Sequence, residues 1–355
     1  MIVVPVMRPR APDVEAVVSR LRSIDAAGWY SNLGPQEQEL RERFAARLKV
    51  PPHQIATAAN ATLAIAGCVR VLGGKRWAAP TFTFAATPAA ILAAGAELVL
   101  GDIESESWLL DPTTVVADGL IPVAPFGTPP DIVGWRDRGP VVHDAAASLG
   151  EPTDLSTLPS GQAVVYSVHA TKVLGSGEGG VAVFGSADDA ARFRSWTNFG
   201  FSCTREAQFP GINAKMSEIQ AAYVHAALDG WDTEREEWAA ARHMVAAVMD
   251  HVGLRLFPSS QDGINPYTIV LLPEGLGLGV LEEQLFSAGI ESRRWWGNGC
   301  HRMAAYRHLD DGSFSRSERI AATSLGLPMF RGLNEVHAEV LAQALQPVVQ
   351  GTSGA

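Results

Sequence analysis

The sequence predicts an α/β protein with a mainly parallel central sheet flanked by helices, followed by a smaller C-terminal α+β unit. Short apolar runs at 55–58, 97–100, 120–124, 141–144, 163–166 and 181–184 read as strands buried on both faces, as in parallel sheets. Segments with helical spacing separate several of them, and that alternation argues for crossover connections. The length, 355 residues, is more than one small core needs and suits a large unit with a smaller partner, divided as 1–235 and 236–355.

Composition narrows the function. A formal net charge of −10 with no dense basic run argues against a nucleic-acid surface, because phosphate backbones require a basic patch. Cys68, Cys203 and Cys300 are too few and too scattered for a disulfide framework, and no Cys-x-x-Cys or His-Glu-x-x-His spacing suggests a metal. The first residues lack the charged leader and long apolar run of a signal peptide, and the most apolar stretch, 85–100, is broken by Pro88, Gly95 and Glu97. A reduced, cytoplasmic enzyme without a membrane anchor is the expectation.

In chain order, Val14, Val17, Val18, Leu21 and Ile24 give a helix over 12–27 that stops at Gly28. The turn Trp29-Tyr30-Ser31-Asn32-Leu33-Gly34-Pro35 opens a charged helix, 36–48; by itself it reads equally as a helix-start turn with aromatic packing. The strand at 55–58 runs through small and hydroxylic residues into a helix over 63–71. Free backbone N–H groups there, with the Thr62 hydroxyl, suit a phosphate, although an ordinary N-cap looks similar. Ala79 to Thr87 carries Phe82 and Phe84, and a helix over 88–94 leads to the strand ending at Asp102.

Asp144 ends the 141–144 strand, on the side where parallel sheets hold ligands; a helix cap before Ala145 is the alternative. Residues 211–222 turn into a helix reaching 229, which Ser217 and Glu218 suit as initiators. Beyond Glu234 come a long helix, strands near 254–257 and 267–272, a helix over 280–288 and a last helix over 335–349, with the N-terminal segment free to pack on this unit; 351–355 reads as a frayed end. Arg293, Arg294, Trp295, Trp296 and His301 form a segment suited to a diphosphate or carboxylate and a stacked base or sugar, or else surface arginines beside a packed tryptophan pair.

The centre of the chain is 163–184, where a strand leads to Ser167-Val168-His169-Ala170-Thr171-Lys172, then Gly175-Ser176-Gly177-Glu178-Gly179-Gly180, then a second strand. The glycines satisfy G-x-G-x-x-G, but they precede a strand rather than open a helix, so a dinucleotide fingerprint does not fit. Ser-x-His-x-x-Lys followed by Gly-Glu-Gly-Gly resembles the cofactor-lysine motif of the DegT/DnrJ/EryC1/StrS family of pyridoxal-phosphate sugar aminotransferases, and the resemblance runs from Gly34-Pro35 to about 229 and more loosely to Pro328.

The resemblance implies the fold-type I architecture and a role for each matching position. Lys172 bonds the cofactor aldehyde and later moves protons, while Asp144 faces the protonated pyridine nitrogen. Ala61, where glycine is usual, joins Thr62 and Ser167 around the phosphate. Phe84, with Phe82 as fallback, lays a ring over the cofactor. Asn213 reaches the cofactor phosphate of a second subunit, which makes the protein a homodimer with composite sites. Lys215 stands where many relatives have arginine, and Ala147 where they often have Gln or His. Arg294, Trp296 and His301 become candidates for the sugar nucleotide, although Gly299 replaces a usual proline.

The activity so implied moves an amino group from L-glutamate to a nucleotide-linked keto sugar, first C4 of a dTDP-4-keto-6-deoxyhexose and second C3 of a 3-keto relative. A lysine at 172 argues against the deoxygenating branch, which uses histidine there. A cofactor-free regulator or scaffold has no use for the Lys172 and Asp144 pair.

Overall fold

The computed structural model describes residues 4–257, 263–273 and 277–350, with the side chains of 347–350 set aside; the 351–355 tail lies outside the described residues. Helices α1 (Val14–Ala27) and α2 (Pro35–Leu48) precede β1 (Ile55–Ala58), α3 (Ala61–Leu72), β2 (Arg76–Pro80), α4 (Ala86–Ala93) and β3 (Glu97–Gly101). Then come β4 (Gly119–Leu120), β5 (Val141–Asp144), β6 (Gln162–Ser167), β7 (Gly180–Phe184) and α5 (Ala187–Trp196). The chain continues through α6 (Glu218–Asp229), α7 (Trp231–Val252), β8 (Arg255–Phe257), β9 (Thr268–Leu271), α8 (Leu278–Ser287), α9 (Ser315–Thr323), β10 (Ser324–Leu327) and α10 (Glu335–Gln350).

Seven strands form one sheet in the order β1-β7-β6-β5-β4-β2-β3. The run from β6 to β3 is parallel, and β7 pairs antiparallel with both β6 and β1. Every residue of β5, β6 and β7 is buried, because helices cover both faces of the sheet. Alternation divides those side chains between two cores. Val164 and Val183 face one with Phe44 and Met216, and Val165, Ala182 and Phe184 face the other with Ile65 and Phe193.

The first core continues into the C-terminal half through Val270, Leu325 and Leu341, beneath the antiparallel sheet β10-β9-β8. Residue 235 falls inside α7, so the chain passes between the two halves on a continuous helix. The N-terminal strand-like segment packs on the C-terminal half: Val4 bridges Ile290, and the Val6 carbonyl accepts from the Met329 N–H at 3.0 Å.

Some expected boundaries move. Of the run 120–124 only Leu120 lies in β4, since Pro122 has no N–H to donate; Val123 makes an isolated bridge to Asp144, Asp144 N donates to Pro122 O, and Ala124 N to Asp144 O. Helix α3 starts at Ala61, not residue 63, because Asn60 caps it by accepting from Leu63 N at 2.9 Å. Helix α4 starts at Ala86, two residues ahead of Pro88, whose missing N–H is harmless in a first turn.

Candidate active site

Strands β5 and β6 run parallel with Asp144 opposite Val165, so the groups leaving their carboxyl ends share one crevice. The Asp144 carboxylate is 6% exposed. Its Oδ2 accepts from Thr87 Oγ1 at 2.6 Å and its Oδ1 from Ala146 N at 3.2 Å. Burial pushes its pKa up, while those two hydrogen bonds and the charge of Lys172 pull the other way. No helix follows Asp144, so it closes a short turn rather than capping a helix. Among the described residues no cation lies within ion-pair distance of it. A protonated ring nitrogen is the kind of partner that such a buried carboxylate lacks.

Beyond β6 the chain folds back on itself. Ser167 Oγ accepts from His169 N at 3.2 Å, Lys172 N donates to His169 O at 2.8 Å, and Ala170 N donates to Gly177 O at 2.9 Å. These bonds close a tight loop that presents Lys172, whose Nζ donates to the Tyr267 hydroxyl at 2.8 Å. The glycines after it have a packing reason. A Cβ on Gly180 would lie 2.6 Å from Asn60 O and 2.9 Å from Ala61 Cα, so only glycine lets β7 pass the start of α3.

At that start, Ala61 and Thr62 are the first two residues of α3, and their N–H groups have no protein partner among the described residues, whereas Leu63 N is capped by Asn60. Two free donors at the positive end of a buried helix suit a phosphate. Ala59 N donates to Ala214 O, and Gln220 Nε2 donates to Ala59 O at 3.1 Å, so α6 and the segment before it hold this corner. Glu218, 1% exposed, caps α2 through Gln36 N and Glu37 N, and Ser217 forms a capping box with Gln220.

The two phenylalanines differ sharply. Phe82 is 2% exposed, with its ring edge-on to Trp108 and Trp296, whereas Phe84 is 62% exposed. Only Phe84 is free to cover a ligand. Asn213 stands at the surface, bridged to Asn198, and its Oδ1 accepts from the buried Lys215 Nζ at 2.8 Å. Nothing within the chain joins Asn213 to Asp144 or Lys172 among the described contacts. Around it Phe199 and Ile212 are exposed, as are Trp29 and Tyr30 in the turn before α2, which is therefore not a packed aromatic turn.

The C-terminal candidates separate. Trp296 stacks on Phe126, ring centroids 4.0 Å apart, next to Phe82. Arg294 forms a bidentate pair with Glu282, and His301, fully buried, bonds Thr81 Oγ1 at 2.7 Å and Glu318 at 3.4 Å. Both polar groups have protein partners, and the structure does not bring them to Lys172. The site also contains residues that no motif announced. Asn60 could have been found as a residue with strong cap preference just before the helix. Thr87 and Tyr267 carry no local signal, because the fold alone brings them to Asp144 and Lys172.

The model of the DegT/DnrJ/EryC1/StrS aminotransferase family matches residues 13–346. The chain belongs to this family. Over 97% of its length it is 29% identical to a dTDP-4-amino-4,6-dideoxy-D-glucose transaminase of Shigella dysenteriae, of which 96% is covered. Among solved structures it is similar to DesI with its TDP-sugar product (30% identity, TM-score 0.81, 98% of this chain and 94% of that one). It is also similar to a Bacillus cereus protein described as a PLP-dependent aminotransferase (27% identity, TM-score 0.87, 96% and 99%). The family member described here is thus a sugar aminotransferase that uses pyridoxal phosphate, and its fold is that of the fold-type I enzymes. The free N–H pair of α3, the cation-poor Asp144 carboxylate, the exposed Phe84 ring and the Lys172 amine fit that cofactor's phosphate, ring nitrogen, face and aldehyde.

Proposed function

We propose that this enzyme transfers the amino group of L-glutamate to a nucleotide-linked keto sugar, with C4 of a dTDP-4-keto-6-deoxyhexose the first choice and C3 of a 3-keto sugar the second. The observation that supports it most is the pairing of Lys172 and Asp144 at one crevice in a chain whose relatives include DesI with its TDP-sugar product. When bound, the cofactor supplies an electron sink for the bond broken at the donor's reacting carbon.

The chain's own groups do the rest. Lys172 Nζ would hold the cofactor through its aldehyde and, when free as an amine, would move a proton from the donor's reacting carbon to the cofactor carbon that comes to bear the amino group. Asp144 keeps the ring nitrogen protonated. Ala61 N–H, Thr62 and Ser167 anchor the phosphate, with Asn213 of the partner subunit completing the anchor in a homodimer. The exposed Trp29, Tyr30, Phe199, Ile212 and Ile219 support that dimer, since such rings gain most from being covered. Trp296 and Arg294 remain the proposed side for the sugar nucleotide, with the buried His301 bonded to Thr81 beneath that segment, and the three free cysteines suit a reducing cytoplasm.

The test is the visible absorption of the purified enzyme with added L-glutamate, then with a panel of dTDP-keto sugars. The donor should bleach the band, and one keto sugar should restore it. A band that L-glutamate leaves untouched would remove glutamate as donor; a band that no dTDP-keto sugar restores would remove the acceptor class.

A further inference from the structure

Tyr267 lies 95 residues beyond Lys172 and immediately ahead of β9, in the C-terminal half. Its hydroxyl accepts from Lys172 Nζ at 2.8 Å, and Nζ stands 5.1 Å from the ring centroid, so the amine sits at the hydroxyl edge of the ring. No carboxylate lies within ion-pair distance of Lys172 among the described residues, which leaves Tyr267 as its polar anchor.

The ring itself is held on two sides. It meets Phe126 edge-on at 5.9 Å and Trp295 edge-on at 5.0 Å, and the Tyr267 N–H donates to Asn265 Oδ1 at 3.2 Å. Asn265 is 1% exposed and packs so closely on Gly127 that a Cβ there would come within 2.5 Å of the asparagine Cβ. The hydroxyl is thus carried by a rigid arm, whereas the lysine has a long flexible stem whose rotamers must be ordered before it can react.

We propose that Tyr267 is the positioning residue for Lys172: its hydroxyl holds the amine whenever Nζ is not covalently engaged. The amine then waits at one place over the crevice. Each time the cofactor aldehyde is free, Lys172 meets it from that place instead of searching its rotamers. The tether also links the lysine to the C-terminal half, so its geometry depends on how that half docks on the parallel sheet. The inference rests on Lys172 being the cofactor lysine, and the experiment separates the two.

Apoprotein of wild type, Tyr267→Phe and Asn265→Ala is mixed with pyridoxal phosphate, and the rise of the visible band is followed by stopped flow. Borohydride reduction and peptide mass mapping then identify the labelled lysine, and thermal melting reports the fold. Tyr267→Phe keeps the ring between Phe126 and Trp295, so it should melt like wild type and still label Lys172, yet capture the cofactor about tenfold more slowly, since misplacing a reacting group costs rate. The single-turnover bleach by amino donor should slow alike, with an unchanged half-saturating donor concentration. Asn265→Ala keeps the hydroxyl but loosens the arm, and should show a smaller slowing. Wild-type capture rates in a folded Tyr267→Phe protein overturn the inference; should that variant fail to fold, an unslowed Asn265→Ala protein overturns it. A label on another lysine in wild type overturns the reading of Lys172 itself, and the inference with it.

Discussion

Phe82 and Phe84 are two residues apart, carry the same ring and have opposite fates. Phe82 is buried among Trp108, Phe126 and Trp296, so Phe82→Ala should destabilise the protein by about 3 to 5 kcal/mol in urea unfolding. Phe84→Ala, at an exposed position, should change stability by less than about 0.5 kcal/mol. Its effect should fall on the cofactor, with retention weakened by up to about tenfold in a fluorescence titration, the scale of one lost aromatic contact. A neutral result on retention would leave Phe84 no role over the cofactor. Asp144→Asn belongs to the same scale. Because burial raises the carboxyl's pKa, its charge costs folding stability at neutral pH, so the apoprotein of the variant should be at least as stable as wild type while amino transfer is lost. The sequence showed that both aromatics and the acid were candidates. Which ring faced inward was not legible, because residues two apart share a face in a strand, and β2 ends at Pro80, before either ring.

Among the elements, α3 is the one whose geometry the cofactor phosphate depends on. Asn60→Ala removes the cap on Leu63 N and should cost about 1 kcal/mol of stability, together with a weaker cofactor affinity as the first turn frays. Gly180→Ala should act on affinity through the neighbouring strand, because its methyl group would push against Asn60 and Ala61 backbone atoms that cannot retreat. Equal cofactor affinities for these two proteins and wild type, measured by equilibrium titration, would detach the phosphate from this corner. Strands β1, β3, β5, β6 and β7 were readable because continuous apolar runs are what two-sided burial demands. Strand β10 was not, since Ser324-Leu325-Gly326-Leu327 is too short and too rich in small residues to stand out, and α9 buries only Ser317, Ile320 and Ala321 from a charged run. Tyr267 shows the deeper limit: its partner is fixed by how the two halves meet, which no local pattern encodes.

Across the whole molecule, acid sensitivity should come from two buried histidines. His225 Nε2 faces the Gln36 carbonyl at 2.9 Å and Nδ1 faces Arg43 Nη1 at 2.9 Å, so the ring donates on one side, accepts on the other and must be neutral. His143, inside β5, faces Gln162 Oε1 at 3.3 Å as its side-chain hydrogen-bond partner among the described residues. Burial holds both at about 4, below the usual 6.5. For a histidine the folded state then binds fewer protons than the unfolded state between those values, so stability falls as pH drops through 6.5 and keeps falling toward 4. Each ring contributes about 1 kcal/mol of loss per pH unit in that window. Glu218, Glu234 and Asp144 oppose this, because burial raises all three and makes the folded state hold protons better as acid is added. Their gain sets in above their usual values of 4.5 and 3.8, as pH falls through the raised folded-state values, so it offsets part of the histidine loss, and the histidine share between pH 6.5 and 5.5 is read from the difference between wild type and the histidine variants. Urea unfolding across that interval should show the slope in wild type and a shallower one in His143→Gln and in His225→Gln, whatever the variants' stability at pH 7. Parallel slopes in all three proteins would mean that the acid response arises elsewhere, and would leave the neutral rings of β5 and α6 without a thermodynamic consequence.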